Sequence, residues 1–250
     1  MARFVTLLTD FGIQDSYVAE MKGVIFSSNP NVTIVDITHG IQRGATMRAS
    51  YVLSRTWHRF PKGTVHVVVV DPGVGSKRRA LAVVNNDHFF LGPDNGILSP
   101  VLEHSAAFAI PITGAASPTF HGRDVFAPAA AQLINGTDVG ALGVPISDPV
   151  VNDFDWPRME GRTLTGSVIH IDRFGNLITN LPGDDALGAL DVTVNDVHIG
   201  IVRRTFADVE SGQLVAYVGS GWTVEIARRN GSAAERLGVE VGSEVFGAFR

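Results

Sequence analysis

The sequence predicts an α/β layered N-terminal domain followed by a small C-terminal domain of β-structure, a barrel or a sandwich. Three features predict this. Stretches with strand and helix character alternate through the first half of the chain, the order that layers helices on a sheet. Val67 to Val70 form an unbroken β-branched run, as in a strand buried on both faces of a parallel or mixed sheet. Beyond Thr163 the apolar runs are short, broken by turns and almost free of helical periodicity.

Phe4–Thr9 is the first strand, ending at Asp10-Phe11-Gly12. Asp15 is placed to cap a helix whose Val18, Met21, Val24 and Ile25 share one face. Thr33–Thr38 is a second strand, closing on His39-Gly40. Ala45, Ala49, Val52, Leu53, Trp57 and Phe60 mark a second amphipathic helix, stopped by Pro61. The valine strand then runs into Asp71, the turn Pro72-Gly73-Val74-Gly75-Ser76, and Lys77-Arg78-Arg79. Residues 80–85 and 88–91 read as strands joined by an Asn-Asn-Asp turn. Asp94 is placed to cap a short helix through Ile97, Leu98, Val101 and Leu102, and residues 108–111 read as a further strand. TFHGRDVFAPAAAQLING gives a loop and a helix from about Asp124, with Pro128 tolerable near its first turn. After Gly143 the composition shifts. Residues 144–162 hold Pro145, Pro149 and Pro157 and little periodicity, so they read as connecting chain. The domains are accordingly 1–150 and 163–250, with a linker at 151–162. The second carries the runs SVIHID, NLITN, VTVNDVHIG, LVAYVG, TVEIAR and EVFGAF.

Composition narrows the function. With 45% hydrophobic and 18% charged residues the chain is globular. A net charge of -5, and no basic cluster beyond pairs such as Arg203-Arg204, argue against a nucleic-acid partner. The absence of cysteine rules out a disulfide framework and a thiolate metal site, and suits a cytoplasmic protein. The apolar run in MARFVTLLTDFG is too short for a signal peptide, and no stretch approaches a membrane span, so no membrane partner is expected.

Several common site patterns are missing. Gly73-Val74-Gly75 begins like a dinucleotide loop, but Arg78 stands where the third glycine belongs. There is no Walker A loop, GxSxG elbow or HExxH, and the eight histidines form no spaced metal set. His58, His66, His88, His104, His170 and His198 read as structural. What remains is polar residues at element ends: Asp10 after the first strand, Asp71 after the valine strand, Arg78 across the glycine turn, and His121 ahead of a helix. Each alone reads as a turn cap or surface ion pair. Together they put acid, base and cation on loops that an α/β sheet gathers at one edge. In the second domain Asp172-Arg173-Phe174-Gly175-Asn176 reads plainly as a turn anchored by a buried Phe; the alternative is a base-stacking or amide-recognition loop.

Five motifs then occur in one order across nearly the whole chain: TDFG with Asp15-Ser16, VVDPGVGS with Arg78, FHGRD, DRFGNLITN and SGWTVEIARRNGSAA. In this the chain resembles the S-adenosyl-L-methionine (SAM) hydrolases, or SAM hydroxide adenosyltransferases, relatives of the nucleophilic fluorinase and chlorinase. The resemblance implies an N-terminal α/β domain, a C-terminal β-barrel, and a homotrimer whose substrate lies between one chain's N-terminal domain and a neighbour's C-terminal domain. The implied reaction converts SAM and water to adenosine and L-methionine, with no cofactor or metal. Asp71, Arg78 and His121 are the positions implied to hold and activate the water. Which of Asp71 and His121 takes the proton stays open.

By the same resemblance Asp10 binds both ribose hydroxyls. Asp15 and Ser16 lie near the methionine end, and neighbouring Tyr17 and Gly122 belong to the substrate-binding set. Asp172 and Ser220 hold the methionine amino and carboxylate groups. Asn176, with the backbone of Arg229, Asn230 and Gly231, reads the adenine edge, and Phe174 packs on the base. An extra residue between Ile226 and Asn230 departs from the family spacing. In the halogenases both positions matching Asp71 and His121 are tyrosines, while Gly122 matches a serine in the fluorinase and a glycine in the chlorinase. A halide needs a desolvating pocket, whereas water needs a proton acceptor, so hydroxide is the implied nucleophile. The competing readings are a SAM-dependent halogenase and a SAM- or adenosine-binding protein without turnover.

Overall fold

A computed structural model describes residues 4–152 and 157–250. The chain divides into two compact units, the first ending at Asn152 and the second running to Arg250.

The first unit is a mixed seven-stranded sheet between helices. Its strands are β1 (Phe4–Thr9), β2 (Thr33–Thr38), β3 (Val65–Val69), β4 (Ala80–Asn85), β5 (His88–Pro93), β6 (Ala106–Ile110) and β7 (Val144–Ile146), in the order β2-β1-β3-β5-β4-β6-β7. The first four strands of that order are mutually parallel, and β4, β6 and β7 join antiparallel. The valine run is therefore central, and every residue of β3 is buried. Alternate residues feed two cores. Val5, Leu7, Val67 and Val69 pack with Met21 and Ile25 of helix α1 (Tyr17–Ser28) and with helix α3 (Ala127–Ile134). Leu8, Val68 and Val70 pack with Ala49 and Leu53 of helix α2 (Thr46–Thr56) on the other face. Parallel strands with both faces covered explain why β3 reads as continuous valine.

Several local expectations are corrected. The N-cap of α1 is Ser16, not Asp15, and it caps with no side-chain bond; its Oγ donates to Glu20 Oε1 at 2.6 Å. Asp94 caps no helix, because Arg79 and the Val150 N–H occupy its carboxylate; a short 3₁₀ turn, Ser99–Val101, starts at Leu98 instead. Helix α2 ends at Thr56, with a 3₁₀ turn over Trp57–Arg59 that leaves Phe60 outside. The helix expected from Asp124 begins earlier, as a π-turn over Gly122–Phe126 that leads into α3. Single π-turns of this kind are frequent at functional sites.

The second unit is a nearly closed antiparallel β-barrel. Its strands are β8 (Arg158–Glu160), β9 (Thr163–Ile171), β10 (Leu177–Pro182), β11 (Leu190–Val194), β12 (Val197–Ile201), β13 (Leu214–Val218), β14 (Thr223–Arg228) and β15 (Glu244–Phe249). They follow the order β12-β11-β15-β9-β10-β14-β13, with β8 paired to β9. An Arg203–Tyr217 bridge draws the β12 end toward β13. Of the two architectures open to the sequence, the barrel is the one formed. Its core includes Leu164, Val168, Leu177, Leu190, Val192, Val224 and Ile226, the inward half of each alternating run. The stretch read as connecting chain is not uniformly irregular, since β7 and β8 lie in it. Residues 153–156 of the expected linker lie outside the described residues.

Candidate active site

Three strand ends and one loop build a polar cluster in the first unit. Thr9 of β1 stands beside Val69 of β3, so Asp10 and Asp71 emerge at the same sheet edge. The Asp71–Arg78 turn folds back on its strand. Arg78 donates from Nε to Asp71 Oδ1 at 3.1 Å and from Nη2 to Asp71 Oδ2, a bidentate pair. Their side chains are 9% and 5% exposed, respectively. Arg78 Nη2 also meets His121 Nδ1 at 2.7 Å. His121 is buried and stands at the start of the π-turn. Gly75 allows this meeting of loops: its φ is +77°, and a Cβ there would lie 2.5 Å from the Pro118 carbonyl oxygen, three residues before His121.

The electrostatics fix the state of the imidazole. A guanidinium can only donate, so His121 Nδ1 accepts and its proton sits on Nε2. Burial, helped by the Arg78 charge, holds the His121 pKa below the ordinary histidine value, against the opposite pull of Asp71 and Asp124. His121 is thus neutral at neutral pH and presents an N–H donor on Nε2.

Beside His121 lies an aromatic wall, of which the sequence singled out Tyr17 but not Phe11 or Phe120. Phe11 contacts Tyr17 and Phe120 edge-on, with centroids 5.9 Å away in each case, and Tyr17 meets Phe120 at 5.2 Å. Arg123, held by Asp124 and Glu20, lies 4.9 Å over Phe120. Gly122 faces the same wall; a Cβ there would sit 3.1–3.3 Å from Met21 Sδ, Phe120 and Phe11. FHGRD already contains Phe120, Arg123 and Asp124, so the signal was present but unassigned.

Asp10 is half-buried and accepts the Gly44 N–H on Oδ2 at 2.9 Å; its other oxygen accepts nothing among the described residues. Asp15 and Ser16 are exposed on the loop ahead of α1. In the second unit Asp172 builds its own loop: Oδ1 accepts the N–H groups of Phe174 and Asn176 at 2.8 and 2.9 Å, and Oδ2 accepts Asn176 Nδ2 at 2.9 Å. Phe174 is 75% exposed, which overturns the reading of it as a buried anchor. The loop is tied to the short helix that follows the turn after β14: the Ala234 N–H donates to the Gly175 carbonyl at 3.0 Å, and Gly175 packs on Ser232. That gathers Asp172, Phe174, Asn176, Asn230 and Gly231 together. Ser220 is exposed in the β13–β14 turn, at the other end of β14. The Arg229 guanidinium is spent on the carbonyls of Val209 and Ala207, at 2.5 and 3.3 Å. Among the described residues no three His, Asp or Glu side chains are grouped to hold a metal, and no helix is long and apolar enough to cross a membrane.

An acid–guanidinium–imidazole cluster at a sheet edge, followed by a β-barrel with an exposed aromatic loop, defines a protein of two units, one mixed α/β and one antiparallel β. Its family follows from comparison. Residues 5–143 match the SAM hydroxide adenosyltransferase N-terminal domain and residues 166–246 the C-terminal domain of that family. The chain belongs to the SAM hydroxide adenosyltransferase family. It is 38% identical to the (R)-S-adenosyl-L-methionine hydrolase of Thermus thermophilus, over 97% of this chain and 98% of that one. A more distant relative is a fluorinase of Nocardia brasiliensis, 28% identical over 96% and 95% of the two chains. Among solved structures, an uncharacterized conserved protein from Thermotoga maritima superposes with a TM-score of 0.90 at 35% identity, covering 98% of this chain and 99% of that one.

Proposed function

We propose that the protein hydrolyses (R)-S-adenosyl-L-methionine to adenosine and L-methionine. The observation that carries this reading is the closed Asp71–Arg78–His121 cluster, a ready-made clamp for one water molecule. The sulfonium epimer is taken from the hydrolase relatives, which are named for it. The water oxygen forms a bond to ribose C5′ as the C5′–S bond breaks. The electron pair goes to sulfur, and methionine leaves as a neutral thioether. One water proton must be removed as the C–O bond forms. Asp71 is the acceptor the geometry favours, because His121 already has Arg78 on Nδ1 and a proton on Nε2. His121 then orients the water by donating from Nε2. Arg78, permanently cationic, holds the Asp71 carboxylate in place and stabilises a hydroxide-like nucleophile without a metal ion.

Asp10 is assigned to the ribose hydroxyls through the carboxylate left open beside Gly44. Phe174 and Asn176, with the backbone at Asn230 and Gly231, are assigned to adenine, and Ser16, Asp172 and Ser220 to the methionine end. The active form is a homotrimer of cytoplasmic chains in which copies share substrate sites. A negative carboxylate at Asp71 opposes an entering halide, increasingly so as the site dries, and this sets the hydrolase above the halogenase. The test is incubation with each sulfonium epimer of SAM in excess chelator, with chromatography of the products. Adenosine and methionine from the (R) epimer are expected. Activity that vanishes with chelator and returns with a divalent ion contradicts the metal-free mechanism, and ligand binding without product supports a binding protein instead.

A further inference from the structure

Two consecutive residues hold both ends of the segment that carries Asp71 and Arg78. Asn95 Nδ2 donates to the carbonyl of Val70, the residue before Asp71, at 2.9 Å. The backbone N–H of Asp94 donates to the carbonyl of Arg79, the residue after Arg78, at 2.9 Å. That carbonyl also accepts from Arg78 Nη1 at 3.3 Å. Asp94 Oδ2 accepts from Arg79 Nε at 2.6 Å, and its Oδ1 accepts the Val150 N–H at 2.7 Å. Asn95 is fixed in turn, since its Oδ1 accepts the Ile97 N–H at 3.2 Å. The Asp94 side chain is only 3% exposed. Neither side chain is hydrogen-bonded to Asp71 or His121, so whatever they do for those groups they do through the backbone.

We propose that Asp94 and Asn95 are positioning residues for water activation, a two-residue clip that sets the geometry of Asp71 and Arg78. This rests on the reading that those two residues activate water. The need for a clip comes from the turn between them. It contains Gly73 and Gly75, the latter at positive φ, and its own bonds, Val74 N–H to the Asp71 carbonyl, Ser76 N–H to the Gly73 carbonyl and Arg78 N–H to Ser76 Oγ, lie within the turn and tie neither Val70 nor Arg79 to the sheet. A bidentate pair tolerates little misplacement, and a shift of about 1 Å at a reacting group costs on the order of 100-fold in rate. Tying Val70 and Arg79 to adjacent residues of one chain segment holds the two ends at a fixed separation.

The test compares Asn95→Asp and Asp94→Asn with Asp71→Asn and with the Asn95→Asp/Asp71→Asn double variant. Asn95→Asp keeps the shape and the acceptor toward Ile97 but turns a carboxylate oxygen on the Val70 carbonyl. Asp94→Asn removes the charge facing Arg79. We expect kcat to fall about 10–100-fold in each clip variant, with KM for (R)-SAM changed less than about threefold. The double variant should be no slower than Asp71→Asn, because Asn95 anchors the residue before that carboxylate and acts through it. Should a clip variant not fold, Arg79→Ala reads the same clip from its exposed side. It should lose about tenfold in kcat, and Arg79→Lys should restore part of that. Clip variants near wild-type kcat beside an inactive Asp71→Asn overturn the proposal, as do losses that multiply in the double variant. Full activity of Asp71→Asn overturns the water-activation reading instead.

Discussion

The cluster around Asp71 and the loops around Phe174 are built on opposite plans. In the first unit the reactive candidates are bonded to one another and buried: Asp71 to Arg78, Arg78 to His121. In the second, Asp172 spends three hydrogen bonds on shaping its own loop, while Phe174 and Ser220 stand uncovered. Preorganised dipoles and charges are worth most where charge develops in a transition state, because they need no rearrangement at that moment. Recognition groups have no such need, since ligand binding itself covers them. On the proposed reading, the buried cluster performs the chemistry and the exposed groups hold the substrate.

The largest expected effect comes from removing the acceptor. Asp71→Asn keeps the size of the side chain but cannot take the proton, and kcat should fall roughly 10²–10⁴-fold with adenosine affinity little changed. A matching loss of adenosine affinity would place Asp71 with the recognition groups and break the contrast. Phe174→Ala should do the reverse. Base stacking is worth about 1–3 kcal/mol, so adenosine should bind roughly 5- to 150-fold more weakly by calorimetry. The unfolding midpoint should hardly move, because the ring is mostly in solvent. A large drop in that midpoint would mean that Phe174 is a packing residue.

The smallest expected effect is one of pH. Protonating His121 on Nδ1 ejects Arg78, so kcat/KM should fall on the acid side with a pKa below the ordinary histidine value. A second histidine must be separated from it. His66 is buried between Thr6 and His88, with its pKa pushed down to about 3 by burial and by its neighbour. The unfolded chain takes up that proton near pH 6.5 and the folded one does not. Stability is thus complete above about pH 6.5 and declines as pH falls toward 3, by on the order of 5 kcal/mol at most. Circular dichroism at each assay pH distinguishes the two: activity lost while the fold persists belongs to His121.

The sequence was most legible where one segment determines its own state. The bounds of β1 and β2 follow from β-branched runs ending at polar turns, and the burial of β3 follows from its valines. Asp71, Arg78 and His121 were legible as strand-end and loop residues, but their mutual contact depends on Gly75 letting two distant loops approach. What the local pattern misjudged was set by hydrogen-bond partners that hydrophobic periodicity does not reveal. Asp94 looks like a helix cap, yet Arg79 and Val150 claim its carboxylate. Phe174 looks like a turn anchor, yet the hydrogen bonds of Asp172 hold the turn without it. The π-turn at Gly122 leaves no periodic mark, because it shifts the register by a single residue.

The central claim is that water, activated in the first unit, attacks C5′. Turnover of (R)-SAM in oxygen-18 water tests it most directly, by mass spectrometry of the nucleoside with and without high chloride or fluoride. The account predicts one labelled oxygen at the 5′ position of adenosine and no halogenated nucleoside at any halide concentration. A 5′-halo-5′-deoxyadenosine as the main product, or adenosine without the label at its 5′-oxygen, would contradict it.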